Sequence, residues 1–223
     1  MSEVQPMIRT GRRGFSHELR MAGADFVSSL RRIKLAWSLA WHDIVAKYRG
    51  SILGPFWITL SMGFMVLGIG LLYAQLYKID PSEFLPYVAV GLVVWGLISS
   101  VIVEGCDTFI QAGGMLRQTA LPLFTFTWRS VLRNVITLGH HLVIVLAVLA
   151  WSRNWTGIQP VAALVGLMLV LFNISWISMF VGIVSARFRD IPQIIASLMQ
   201  FAMFLTPVFW KAAPRQRIGR TWR

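Results

Sequence analysis

The sequence predicts an all-α fold: a polytopic transmembrane helical bundle of about five spans, preceded by an interfacial amphipathic helix. Three observations predict it. The 223-residue chain is 56% hydrophobic, with mean hydropathy +0.64. Only 13% of its residues are charged, where a soluble domain carries about 25%. Those charges also gather between apolar runs, each long enough for a hydrocarbon core of ~30 Å.

Each element follows in order. Residues 1–25 are polar, basic and glycine-containing, and are expected to form a flexible cytoplasmic tail. From Phe26, apolar residues recur at spacings of three and four through Leu30, Ile33, Trp37, Trp41 and Ile44. Arg31, Arg32, Lys34, Ser38 and His42 fall between them. The pattern predicts a basic amphipathic helix over 26–44 that lies in the interface plane or caps the cytoplasmic side. The first span is expected over residues 51–77 and ends at Lys78-Ile79-Asp80-Pro81-Ser82. The second, 84–111, exceeds the bilayer core at ~1.5 Å per residue, so it must tilt, kink or protrude. Gly113-Gly114 breaks it. The third covers 123–150, with Trp151 and Trp155 at its far interface as an aromatic belt. The fourth covers 160–186, and Ser178, Gly182 and Ala186 give it a small-residue stripe suited to close helix contact. The fifth covers 191–210, completing a transmembrane domain over 26–211. Residues 212–223 form an atypical basic tail.

The charge pattern orients the bundle. Nine of the 21 Lys and Arg lie in residues 1–50. Arg117, Arg129 and Arg133 flank the connection of spans two and three, and Arg187 and Arg189 that of spans four and five. The opposite connections hold only Lys78 and Arg153. The positive-inside rule then predicts a multi-pass inner-membrane protein with a cytoplasmic N-terminus. It also accounts for the net charge of +12 without a nucleic-acid partner. Cys106 is the only cysteine, which excludes an intrachain disulfide and a Cys-based metal cluster. No early apolar stretch ends in a small-residue cleavage site, so the first span is expected to direct insertion itself.

The entry into the first span reads Lys47-Tyr48-Arg49-Gly50-Ser51-Ile52-Leu53-Gly54-Pro55-Phe56-Trp57. Lys47, Tyr48 and Arg49 suit the headgroup layer, and Pro55 suits a first helical turn, whose N–H groups lack partners anyway. The segment resembles the entry to the first transmembrane helix of type 2 ABC transporter permeases, most closely the polysaccharide and O-antigen exporters. Ala186-Arg187-Phe188-Arg189-Asp190-Ile191 is similar to that family's loop before its fifth helix. Phe204-Leu205-Thr206-Pro207-Val208 is similar to its pattern late in that helix. The likeness covers roughly residues 30–211.

The resemblance implies a permease subunit that exports a lipid-linked glycan. Its implied partners are a second permease copy and a separate nucleotide-binding ATPase subunit, in addition to the surrounding membrane lipids. It implies that residues 113–122 form a coupling segment, with Met115, Leu116, Arg117 and Gln118 on the ATPase, glycines as hinge and Pro122 starting the next rigid element. As a plain connector, the same stretch would carry no such role. Arg187, Arg189 and Asp190 are a second ATPase-contact candidate, or serve only to hold their loop inside.

Other residues invite a functional reading from their own chemistry. Glu104 and Asp107 share a helical face in the second span. They either line a hydrated pathway or sit at headgroup level, satisfied by Arg129, Arg133 or water. Tyr73, Tyr77, Phe84, Tyr87 and Trp95 gather near the outer ends of spans one and two. They suit stacking against sugar rings, or form an ordinary aromatic belt. His140 and His141 point about 100° apart on a helix, which disfavours one shared metal ion. They suit an interhelical hydrogen bond or a wall facing water.

No Gly-x-x-x-x-Gly-Lys-Ser/Thr phosphate loop occurs in the sequence. The chain is therefore expected to be no enzyme, to bind no cofactor or metal, and to leave ATP to another subunit. The rival classes are an ABC permease for a small molecule or lipid, and a membrane-embedded transferase using Glu104, Asp107 or the histidines. The tail carries four arginines from Arg215 onward and no apolar run. Five spans would place it outside, against the positive-inside rule. That conflict predicts an altered or shortened end and an impaired exporter.

Overall fold

Eight helices form the regular structure of the computed structural model, which describes residues 15–119, 121–153 and 159–208. They are α1 (Phe15–Arg31), α2 (Ile33–Lys47), α3 (Phe56–Tyr77), α4 (Pro81–Gln111), α5 (Gly113–Gln118), α6 (Leu123–Ser152), α7 (Pro160–Arg187) and α8 (Ile191–Leu205). Among the described residues there is no strand. The tail 212–223 and the interfacial Trp155 lie outside the described residues.

Four helices, α3, α4, α6 and α7, are long and apolar enough to cross a membrane. The expected boundaries of these spans agree to within a few residues, because Pro81 and Pro160 open α4 and α7 where a missing N–H costs nothing. The fifth expected span is shorter. The 15 residues of α8 reach only ~22 Å at ~1.5 Å each, and Thr206 then turns the chain out of the helix. None of the α8 residues is buried.

α4 is the central element and packs against α3, α6, α7 and α8. Its inward residues Phe84, Val88, Ala89, Leu92, Val93, Leu97 and Val101 form the spine of the main apolar core. α7 approaches α4 closely because small residues meet. A Cβ on Gly182 would lie 2.7 Å from the Gly105 carbonyl oxygen, and one on Gly105 would overlap the Ser178 side chain. The stripe differs from expectation at one position: Ala186 is exposed and Ser185 takes the buried place.

The N-terminal helix is longer than the sequence pattern suggests. It starts at Phe15, inside the region expected to be flexible, and α2 resumes after an interruption at Arg32. The buried residues of α2 are Ala36, Ala40 and Ile44, not the tryptophans. Trp37 and Trp41 face outward, at 47% and 52% exposure. Small residues bring α2 against α6, which leaves the large aromatics for the membrane interface that suits them.

Candidate functional site

The chain threads back and forth, so α1, α2, α5, the start of α6 and the loop after α7 share one end of the bundle. This basic end carries a cleft of about 980 Å³ bounded by α2, α3, α4 and α6. Two polar stripes line it. Arg129, Arg133, Thr137 and His141 recur every fourth residue along α6; Ser100, Glu104, Asp107 and Gln111 recur at spacings of four and three along α4. Both spacings keep one face of a helix.

An ion network ties the walls together. Arg129 donates from Nε and Nη2 to the two oxygens of Asp43, at 2.8 and 2.5 Å. Arg133 donates from Nη1 to Asp43 at 3.1 Å, and from Nε and Nη2 to Glu104 Oε2 at 3.2 and 2.7 Å. Asn134 adds a third donor to the same oxygen at 2.7 Å. Asp43 on α2, Glu104 on α4 and the arginines of α6 thereby fix three helices. Burial by itself pushes the Asp43 carboxyl up, but the hydrogen bonds and charges of Arg129 and Arg133 outweigh it and hold the group below its ordinary value. Glu104 is thus satisfied by Arg133, while Asp107 lines the same cleft and makes no hydrogen bond or ion pair among the described residues.

Asp43 and Asp25 carry weight that the sequence pattern had not flagged. The available signal was their isolation: Asp43 is the only acid between Asp25 and Asp80, set in a basic helix. Asp25 accepts from the backbone N–H groups of Leu123 and Phe124, both at 3.0 Å. Pro122 heads α6 and supplies no side-chain cap, so a carboxylate from α1 does the capping. Beside it, Phe26 packs on Phe124 and Trp176 with ring centroids 5.0 and 5.6 Å apart.

The expected coupling segment forms a one-and-a-half-turn helix, α5, immediately before this cap. Met115, Arg117 and Gln118 point outward. Leu116 does not; it packs with Leu121 against Phe109, Ala112 and Phe126, since an apolar side chain there finds a pocket. In the loop after α7, Arg187, Arg189 and Asp190 are exposed, and the Arg187 guanidinium lies 5.4 Å from the Phe188 ring centroid.

The entry motif explains its glycines. Tyr48 ends α2, Pro55 caps α3, and Gly50 and Gly54 between them take φ of +83° and +54°. A side chain is strained there even though no atom stands in the way. Lys47 and Tyr48 line the cleft, with the ammonium 5.8 Å from the ring centroid, and Arg49 is exposed.

The aromatic candidates occupy the other end, about 25 Å along α4 by residue count from Tyr87 to Glu104. Tyr73, Tyr77, Phe84 and Tyr87 form a chain of ring contacts with centroids 5.7 to 6.2 Å apart. Trp95 stands apart from that chain and packs into the main core. Tyr87 also donates its hydroxyl to the Pro207 carbonyl, and Val208 packs on Gly91. The Thr206-Pro207-Val208 turn is thereby docked on α4. The two groups of pathway candidates are separate sites. Nor do the histidines share a role: His141 faces the cleft, while the Nδ1 of His140 bonds the Ile136 carbonyl at 3.0 Å. Among the described residues no three His, Cys, Asp or Glu group to hold a metal.

A bundle of membrane-length helices with a charged cleft and exposed connecting loops at one end defines a multi-pass membrane protein. The ABC-2 type transporter family model matches residues 34–223, so the chain belongs to that family. It is similar to the O-antigen export system permease protein RfbA of Myxococcus xanthus, 25% identical over 177 residues. That alignment covers 78% of this chain and 66% of the relative, just under two thirds of the relative's length.

Proposed function

We propose that this chain is the transmembrane permease subunit of an ATP-driven exporter of a lipid-linked polysaccharide, of the O-antigen or capsule class. The observation that carries the reading is the family match over residues 34–223, supported by the similarity to a permease named for O-antigen export. In this reading the basic end faces the cytoplasm of the inner membrane, as its excess of Lys and Arg favours. The chain itself binds no cofactor and catalyses no reaction; a separate subunit binds and hydrolyses ATP. The outward side chains of Met115, Arg117 and Gln118, with Arg187, Arg189 and Asp190, receive the motion of that subunit. A second permease copy completes the path, since the exposed apolar faces of α7 and α8 leave room for partners in the membrane.

Complementation tests the reading. A strain deleted for this chain loses surface polysaccharide, and a plasmid copy restores it only when the ATPase subunit is present. Arg117→Glu together with Arg189→Glu inserts normally and exports at no more than about a tenth of the wild-type rate, as expected if a few contacts of ~1–3 kcal/mol each are lost. Normal export by that double variant would reduce both loops to connectors. Stoichiometric ATP turnover by the purified chain alone would end the reading.

A further inference from the structure

Resting on the glycan-export reading, we propose that the cleft between α2, α3, α4 and α6 binds a neutral, hydroxyl-rich sugar segment, and not the phosphate of a lipid headgroup. The cleft's polar groups sort by whether they are already used. Arg129 commits Nε and Nη2 to Asp43, and Arg133 commits its Nε, Nη1 and Nη2 to Asp43 and Glu104. Only Arg129 Nη1 stays uncommitted, so a phosphate that takes the bidentate grip of either guanidinium must break these charge-assisted pairs, which are among the stronger hydrogen bonds a protein makes.

Beside the uncommitted Arg129 Nη1 and Lys47, two carboxylates keep acceptors open. Asp107 makes no hydrogen bond or ion pair among the described residues, and every contact to the Glu104 carboxylate runs through Oε2, leaving Oε1 open. Sugar hydroxyls donate to carboxylate oxygens; an ionised phosphate has only acceptors to offer and is repelled by them. The remaining cation, Lys47, is drawn over the Tyr48 ring. At the same cleft Trp57 keeps 44% of its surface exposed, an apolar plate on which the C–H face of a sugar ring can stack. The cleft volume of about 980 Å³ stands at the upper end of the ~300–1,000 Å³ of small-ligand sites, so more than one ring fits. It lies at the same end of the bundle as the loops proposed above to receive the ATPase.

The test uses the purified full chain in lipid nanodiscs. The probes are neutral oligosaccharides released by mild acid from the surface polysaccharide of the source organism, and sodium pyrophosphate. Binding is read by saturation-transfer NMR and competition. The expected result is oligosaccharide binding that weakens at least tenfold in Asp107→Ala and in Trp57→Ala, is partly retained in Asp107→Asn, and does not respond to millimolar pyrophosphate. Asp107 lies outside the ion network and Trp57 is half exposed, so neither change removes a core contact. Displacement of the oligosaccharide by pyrophosphate, binding of pyrophosphate alone, or oligosaccharide binding unchanged in both alanine variants would each overturn the site. Failure of the export reading would show separately, as wild-type chain that does not restore surface polysaccharide in the deleted strain.

Discussion

The two ends of this bundle are held by different physics. At the basic end the contacts are long-range in sequence and ionic: Asp25 caps a helix 98 residues away, Asp43 reaches arginines 86 and 90 residues away, and Glu104 meets Arg133. At the far end the ties are mostly local. Asp80 caps α4 through the N–H and hydroxyl of Ser82 at 2.7 and 2.6 Å, and Lys78 and Arg153 close α3 and α6 in left-handed conformation. Neighbouring aromatic rings add to these, and the long-range ties there are the shared apolar core, the Tyr87–Pro207 bond and the packing of Val208 on Gly91. The difference teaches where helices distant in sequence are coupled: charges at the basic end tie α1, α2, α4 and α6 to one another, whereas most polar ties at the far end join a helix to its own turn.

Cutting the stitch should have the largest effect. Arg133→Met removes the bridge between Asp43 and Glu104 and leaves Glu104 with Asn134 alone. Breaking a fully buried pair costs ~3–5 kcal/mol; the Arg133 side chain keeps 28% of its exposure, so about 2 kcal/mol is expected. Reversible unfolding in mixed micelles measures it, and a loss below that of far-end variants would erase the contrast between the ends.

Next comes Asp25→Ala, which frees two backbone donors at the start of α6. A cap of this kind contributes ~1–2 kcal/mol. Amide exchange at Leu123 and Phe124 should accelerate while amides in the middle of α6 stay protected. Unchanged exchange would show that Phe26 and its aromatic neighbours alone hold α1.

Acid sharpens the comparison further. The Asp43 carboxyl is held below its unfolded value, so its contribution is fully present above about pH 4 and is lost as pH falls through the lower folded value. Wild-type stability should therefore fall more steeply below about pH 4 than that of Asp43→Asn, as read in parallel acid melts. Parallel acid curves would mean that the arginines do not favour the ionised form.

The smallest effect belongs to the far end. Asp80 is also held low, by its bonds to Ser82, but it is fully solvated. Asp80→Ala should shift the melting temperature less than Arg133→Met or Asp25→Ala.

Much of this was legible from the chain itself. Apolar run lengths and the flanking Pro81, Gly113 and Pro160 placed four spans to within a few residues, because helix ends are local chemistry. Glu104 and Asp107 announced themselves as carboxylates in an apolar run. Their partner Asp43 did not, since nothing local distinguishes an acid on an interfacial helix from a solvated one. The packing of Leu116 and of the α2 alanines was not legible for a related reason. Periodicity finds an apolar face, but neighbours decide which apolar residues that face buries. Ala36 and Ala40 won because close approach to α6 needs small side chains.

The sequence by itself determined the class of fold, the place of four long helices, the basic end and the turns, because each depends on hydropathy and on backbone chemistry within one segment; it did not foresee that the fifth apolar run forms only the short α8. Only the tertiary structure decided that Asp25 caps α6, that Asp43, Glu104, Arg129 and Arg133 form one network, and that Asp107 and Trp57 are left facing an open cleft. Those are statements about which side chain meets which across helices. In a bundle where apolar faces point to lipid as readily as to one another, hydrophobic pattern cannot choose the partners; close packing of small residues and the pairing of charges do.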